Sequence, residues 1–143
     1  MNKKIKNWIL ENKYLLFVFL ITTIFFIVHR FLIYSWDYSV YVLNAKHFFN
    51  KGFYFEILRP PLVPTIIGFL GNVFGYFLAD ILFIILVSFL FFSATYLLTK
   101  ELKINTLLFY VLLLTPTTLA YGLFAGTELL FLALILFAIY LLI

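Results

Sequence analysis

The sequence predicts an all-α membrane protein: a polytopic bundle of about four transmembrane helices, with interfacial amphipathic helices in its first outer loop. Of the 143 residues, 66% are hydrophobic and only 11% are charged, a composition outside the range of soluble domains of this size. The 20 Phe and 10 Tyr favour the same class, because aromatic side chains suit both the bilayer core and its interfaces. Cysteine is absent, which excludes disulfides and thiolate metal sites.

The N-terminal part predicts a cytoplasmic tail followed by a first span. Residues 1–13 form a basic tail whose lysines are Lys3, Lys4, Lys6 and Lys13. The apolar run at 14–33 has about 20 residues, enough to cross a bilayer core, and no small-residue cleavage site follows it. It is therefore predicted to be a retained signal anchor. The four lysines place the N-terminus in the cytoplasm, and Arg30 can extend outward from the last turn.

The outer loop begins with a predicted amphipathic helix. Ser35 or Asp37 can cap a helix that runs to about Asn50. Its apolar side chains share one arc, so we expect the helix to lie in the membrane interface. These side chains are Tyr38, Tyr41, Val42, Ala45, Phe48 and Phe49. Asp37, Asn44 and Lys51 recur every seven residues and form a polar stripe.

The rest of the outer loop, which spans 34–78 in all, is predicted to stay on one side of the membrane. Its FYFEIL stretch is expected to be extended, and Arg59-Pro60-Pro61 stops any helix. The segment 62–77 is apolar but short. If it crossed the bilayer, Lys100 and Lys103 would lie outside. If it is re-entrant or interfacial, they lie in the cytoplasm, as the positive-inside rule favours. We adopt the second interpretation.

Three further apolar runs predict the remaining spans, at about 79–99, 105–120 and 127–143. Asp80 is expected to cap the first of them, and Pro116 interrupts the second. Glu128 stands at the outer end of the last span. The sequence stops inside that span, so we expect the chain to be the front part of a larger protein.

Two residues of the outer loop suggest chemistry. Asp37, at the start of an interfacial helix, can act as a general base on an acceptor near the lipid headgroups. Arg59, ahead of the Pro-Pro corner, is a rigidly placed guanidinium suited to a phosphate. Structural alternatives remain for each: Asp37 can serve as an N-cap, Arg59 can reach toward the interface, and Glu128 can complement a helix dipole.

The order of these features resembles the N-terminal region of the GT-C membrane glycosyltransferases. The matching series includes the loop helix WDYSVYVLNAKHFFNKG, the segment RPPLVP with a Gly-rich apolar stretch, a span ending in a basic loop, and a Pro-containing span. The chain is most similar to the family 39 group, which includes protein O-mannosyltransferases and lipid A aminoarabinose transferases. The resemblance runs from about residue 14 to the end. Its most specific parts are Asp37 with Tyr41 and Ala45, RPPLVP, and Thr127-Glu128.

The resemblance implies transfer of a sugar from a polyprenyl-phosphate donor to an acceptor glycan, lipid or protein. The reaction would take place on the non-cytoplasmic face of the cell membrane. Asp37 would be the catalytic base, Arg59 would bind the donor phosphate, and Glu128 would be a second acidic site. Tyr41 and Asn44, on the same helix as Asp37, are the expected substrate-binding residues. No metal ligands are predicted, although a divalent metal could take part, and no nucleic-acid partner is expected.

Two other functional classes stay open. The chain could be a non-catalytic, truncated membrane subunit or a binder of the lipid carrier. A small transporter or channel is disfavoured, because no predicted span has an ionisable residue near its middle, where ion pathways usually require one.

Overall fold

A computed structural model describes residues 3–33, 35–122 and 127–143, and in these residues the protein is helical, without strands. The helices are α1 (Lys3–Glu11), α2 (Lys13–Leu32), α3 (Trp36–Phe48), α4 (Leu62–Phe74), α5 (Tyr76–Glu101), α6 (Thr106–Leu113), α7 (Pro116–Tyr121) and α8 (Glu128–Leu142). The all-α prediction is therefore confirmed for the described part of the chain.

Two of these helices are long and apolar enough to cross a membrane. They are α2, with 20 residues and a mean hydropathy of 2.3, and α5, with 26 residues and a mean hydropathy of 2.6. Core helices of soluble proteins and signal sequences can meet the same criterion. Length and composition thus support two of the four predicted spans, at 14–33 and 79–99, and leave the other two as predictions.

Of the other two predicted spans, one is divided into two short helices and the other is a single short helix. The one expected at 105–120 consists of α6 and α7, which are separated where Thr115 accepts a hydrogen bond from the Thr118 backbone N–H and Pro116 starts the new helix. Proline has no N–H and cannot continue α6, so the break has a local cause. The last one is α8, an apolar helix of 15 residues.

The predicted basic tail is helical: Lys3, Lys4 and Lys6 lie in α1, and Lys13 begins α2. In α1, the Trp8 indole Nε1 donates a hydrogen bond of 2.7 Å to the Tyr96 hydroxyl, and the two rings meet edge to face. A Trp side chain gains from burying its rings while keeping its N–H paired. The predicted basic tail is therefore fixed to α5, over the residues that the structure describes.

Helix α5 is the centre of the bundle and packs against α2, α4, α6 and α8. It runs antiparallel to α2: Trp8 meets Tyr96 at one end, Phe19 packs on Phe92 with ring centroids 4.7 Å apart, and the side chains of the last turn of α2 meet those of the first turn of α5. The chain therefore leaves α2 and enters α5 at the same end of the bundle. Helix α3 is attached to this end through the Tyr38 hydroxyl, which donates to Asp80, and α4 reaches it at Gly75, where α5 follows.

Helix α3 packs against protein over much of the face predicted to meet lipid headgroups. Tyr38, Tyr41 and Ala45 of that face are buried, and only Phe48 at its end is exposed. The close approach of α4 explains the difference, because a Cβ at Gly68 would lie only 3.0 Å from the carbonyl oxygen of Ala45. Glycine at this position lets the two helices come together, a contact that helical periodicity cannot reveal.

Gly75 makes the turn from α4 into α5, with φ of 83° and ψ of 149°. This part of backbone space is populated almost only by glycine, because a Cβ clashes with the adjacent carbonyl groups. The turn sends α5 back across α4, so its geometry determines how the outer-loop helices sit on the bundle.

We predict that Gly75→Ala lowers the stability of the protein by about 1–3 kcal/mol through this backbone strain. Thermal unfolding of the detergent-solubilised chain, followed by circular dichroism, measures the effect. Asn72→Ala, on the exposed side of α4, is the control and should change stability by less than about 0.5 kcal/mol. Equal stability of Gly75→Ala and the parent would contradict the assigned turn.

Candidate functional site

The polar groups of the outer loop meet at an ion pair between α3 and the loop that follows it. An Arg59 Nη2 donates to Asp37 Oδ1, across 22 residues of sequence, and Arg59 Nε lies 3.2 Å from Glu56 Oε1. The Arg59 guanidinium thus stands between two carboxylates. The side chains of Asp37 and Arg59 are 41% and 25% exposed, so the pair can be reached from outside the protein.

Asp37 is free to make this pair because another residue caps α3. The Ser35 side chain accepts a hydrogen bond from the Tyr38 backbone N–H, so Ser35 is the N-cap and Asp37 lies within the first turn. Of the two capping residues that the sequence allowed, the structure uses Ser35. The structural alternative for Asp37, that it satisfies the helix N-terminus as the cap, is wrong.

Asn44 attaches the loop to α3. Its amide oxygen accepts from the Glu56 backbone N–H and its amide nitrogen donates to the Glu56 carbonyl, both at 2.9 Å. The side chain is fully buried, and the paired amide satisfies backbone groups that would otherwise be unpaired in an irregular segment. This attachment is three residues before Arg59, which it brings beside Asp37.

Tyr41 forms the floor beneath the ion pair. Its ring is buried, and the Arg59 guanidinium carbon lies 5.7 Å from the ring centroid, within the range of a cation–π contact. Asp37, Tyr41 and Asn44 are separated by four and three residues, so they follow one face of α3. We call the set Asp37, Tyr41, Asn44, Glu56 and Arg59 the Asp37–Arg59 cluster.

The structure brings four of the five predicted site residues into this cluster but gives them different exposure. Asp37 and Arg59 face outward, whereas Tyr41 and Asn44 are buried behind them. In this conformation Tyr41 and Asn44 lie behind the ion pair, and their role in substrate binding stays a prediction. Glu56 is the additional member that sequence reasoning did not select, although its place three residues before Arg59 allows a local ion pair.

Electrostatics keep the Arg59 guanidinium charged. Desolvation lowers its pKa, but the hydrogen bond and charge of Asp37 and the charge of Glu56 raise it more, so the net shift of the pKa is upward. An ion pair as exposed as this one contributes little to folding, about 0–1 kcal/mol. Its two carboxylates can consequently be exchanged for another anion without a large loss of stability.

Glu128, the fifth predicted site residue, lies apart from this cluster in the contacts of the described chain. Its carboxylate accepts a hydrogen bond of 3.2 Å from the Thr127 backbone N–H at the start of α8. It also lines a small cavity of about 130 Å³ with Thr117, Thr118 and Leu132. Residues 123–126, just before it, lie outside the described residues.

A second polar cluster, formed by Arg30, Tyr38 and Asp80, lies where α2, α3 and α5 meet. Arg30 Nη2 donates to Asp80 Oδ2 at 3.3 Å, the Tyr38 hydroxyl donates to Asp80 Oδ1 at 3.0 Å, and the Arg30 guanidinium lies 3.9 Å from the Tyr38 ring centroid. Burial and the charge of Asp80 raise the pKa of the Tyr38 hydroxyl, so it remains a neutral donor. This cluster ties the outer-loop helix to both candidate spans.

The sequence analysis had assigned other roles to two of these residues. Asp80 was expected to cap a span beginning near residue 79, but α5 begins at Tyr76, which places Asp80 inside the helix and in an ion pair. Arg30 was expected to extend toward the interface, and its side chain is only 16% exposed. The sequence signal for this ion pair was the presence of opposite charges at the end of one apolar helix and the start of the other.

Among residues 3–33, 35–122 and 127–143, no group of three His, Asp or Glu side chains comes together in a way that could hold a metal ion. Comparison of the chain with protein-family models, with curated proteins and with solved structures gave no match. Any functional assignment therefore depends on the residues themselves and on the contacts described above.

We predict that Asn44→Ala loosens the loop that holds Arg59, because the Glu56 backbone groups lose both partners. Amide hydrogen exchange of the 53–59 peptide should accelerate by about ten-fold or more, since a buried hydrogen bond contributes on the order of 1 kcal/mol and two are lost. Mass spectrometry measures this exchange in the detergent-solubilised chain.

Two controls accompany this measurement. Asn44→Asp keeps an acceptor for the Glu56 N–H but places a carboxylate oxygen against the Glu56 carbonyl at a buried position, and should accelerate the exchange at least as much as Asn44→Ala. Lys51→Ala, at an exposed position of the same loop, should leave the exchange unchanged. Unaltered exchange in Asn44→Ala would show that another contact holds the loop.

Proposed function

We propose that this chain is the N-terminal part of a membrane glycosyltransferase. The enzyme would transfer a sugar from a polyprenyl-phosphate donor to an acceptor on the non-cytoplasmic face of the cell membrane. The observation that carries the proposal is the Asp37–Arg59 cluster. Asp37 and Arg59, which the resemblance selected as catalytic base and phosphate-binding residue, are 22 residues apart in sequence and form one accessible ion pair above the buried Tyr41 and Asn44.

The proposal includes a multi-pass topology with a cytoplasmic N-terminus. In this topology α2 and α5 span the bilayer. The segment 62–77 between them is re-entrant or interfacial, so the chain leaves α2 and enters α5 on the same side of the membrane. Lys100 lines a cavity together with Glu11 and Tyr14, so the basic C-terminal end of α5 lies beside the junction of α1 and α2. Six of the ten basic residues would then be cytoplasmic, in agreement with the positive-inside rule: Lys3, Lys4, Lys6, Lys13, Lys100 and Lys103.

In the proposed reaction, the donor phosphate displaces the carboxylates from Arg59. The guanidinium suits this exchange, because its planar N–H groups bind a phosphate as well as a carboxylate. Asp37, released from its partner, removes a proton from the acceptor hydroxyl or amide. The acceptor atom attacks the anomeric carbon, the bond from that carbon to the phosphate oxygen breaks, and the phosphate leaves with the electron pair. Arg59 stabilises the charge that develops on it.

A second candidate function is binding of the lipid carrier without chemistry. Two observations favour it: Asp37 is paired with Arg59 and so is not a free base, and the loop exposes large apolar side chains next to the cluster. Phe53 is fully exposed, and Ile57 and Leu58 are nearly so. A lipid tail would cover these side chains, and a binding subunit needs no general base.

The decisive measurement is transfer of radiolabelled sugar from polyprenyl-phosphate donors in membranes that contain the chain. Asp37→Asn keeps the shape of the side chain but cannot accept a proton, and should lower the rate by about 10²–10⁴-fold. Arg59→Gln removes the cation at the leaving phosphate and should lower it by about 10²–10³-fold. Lys51→Gln removes a nearby exposed charge and should retain the parent rate.

The outcomes separate the two candidates. Transfer by Asp37→Asn at the parent rate would contradict the assignment of the base. Absence of transfer by the parent chain and by every variant, with donor lipid retained on the purified parent and lost from Arg59→Gln, would favour the carrier-binding subunit. Absence of both transfer and lipid retention would contradict both candidates.

A further inference from the structure

A cavity of about 410 Å³ lies beside the Arg30–Tyr38–Asp80 cluster, on the side of α3 opposite to Asp37. Its polar wall includes Arg30, Ser39, Tyr76 and Asp80. The α3 residues that line it, Ser39, Val42 and Leu43, fall on the opposite face of the helix from Asp37, Tyr41 and Asn44. The cavity is therefore separate from the site of the proposed function.

Two residues of the cavity wall, Arg30 and Tyr76, have buried polar atoms that no described residue of the protein pairs. A guanidinium has five N–H groups, and in the described part of the chain the one hydrogen bond from Arg30 goes to Asp80, at 3.3 Å. Arg30 Nε and the Tyr76 hydroxyl are buried and have no hydrogen-bond partner among these residues. Buried polar groups are nearly always paired, so these two groups lack the acceptor that a ligand could supply.

The charge near the cavity selects an anion as that acceptor. Arg30 and Asp80 form an ion pair, and their charges offset each other. Lys46 adds a positive charge, with its Nζ 5.2 Å from the centroid of the Tyr76 ring. Because Arg30 and Asp80 offset each other, Lys46 gives the surroundings of the cavity a net positive charge, which favours a ligand with acceptor oxygens and a negative charge.

The position of the cavity favours a lipid headgroup. Arg30 lies in the last turn of α2 and Asp80 in the first turns of α5, the two helices long enough to span a bilayer. The cavity therefore lies at the end of the apolar part of both helices. Phe77 lines the cavity and packs on Phe31, with ring centroids 5.5 Å apart, and both rings are exposed. An acyl chain can cover such an exposed aromatic pair.

From these observations we propose that the cavity binds the phosphate of an anionic phospholipid. The phosphate oxygens accept from Arg30 and, after a small side-chain rotation, from the Tyr76 hydroxyl, while the acyl chains lie along Phe31 and Phe77. The bound lipid would link α2, α3 and α5 at the point where they meet. This proposal is independent of the glycosyltransferase proposal, since it uses neither Asp37 nor Arg59.

Native mass spectrometry of the purified full chain in dodecyl maltoside tests the proposal by titration with phosphatidylglycerol. Arg30→Gln should weaken binding by about ten-fold or more, because it removes the charge-assisted donors. Leu43→Trp fills the cavity from α3 and leaves every polar contact in place, so it should weaken binding by a similar factor. This variant keeps the test valid if Arg30→Gln impairs folding. Lys51→Gln removes a positive charge outside the cavity and should bind as the parent does.

Two further arms identify the ligand chemistry. Diacylglycerol, which has the acyl chains but no phosphate, should not bind at this site, and inorganic phosphate at millimolar concentration should not displace phosphatidylglycerol. Unchanged phosphatidylglycerol binding by Leu43→Trp would overturn the proposal. Equal binding of diacylglycerol would exclude a phosphate site, and displacement by inorganic phosphate would exclude a lipid as its ligand.

Discussion

The arrangement of the outer loop depends on two hydrogen bonds between one buried amide and one residue of backbone. Asn44 pairs with both the N–H and the carbonyl of Glu56, and it does so from inside the protein, where unpaired groups would be costly. The segment it holds has no helix or strand of its own. Without this attachment nothing in the local sequence would bring Arg59 to the first turn of α3.

Helix α3 separates two polar clusters that have different surroundings. Asp37 points to an accessible ion pair with Arg59, and its neighbour Tyr38 points to a more buried one between Arg30 and Asp80. Neighbouring residues of a helix project about 100° apart, so one turn can contact two environments. The accessible pair suits an exchange of anionic partners, whereas the buried pair connects α3 to both long helices.

The functional proposal and the lipid proposal therefore depend on different physical properties. The first needs an ion pair that is weak enough to be opened by a phosphate, which partial exposure provides. The second needs buried donors without partners beside a cavity with positively charged surroundings, which is unfavourable until a ligand supplies the oxygens. Both sites lie at the end of the bundle where α2 stops and α5 starts.

By itself, the sequence determined the helical class, the two long apolar helices, and the residue types of the candidate site. These follow from composition and from the spacing of side chains along one helix, which are local properties. The burial of Asn44, the pairing of Arg30 with Asp80, and the packing of α3 on α4 were decided only by the tertiary structure. Each depends on the approach of segments distant in sequence. A close backbone contact at Gly68 or a turn at Gly75 leaves no periodic signal in the chain.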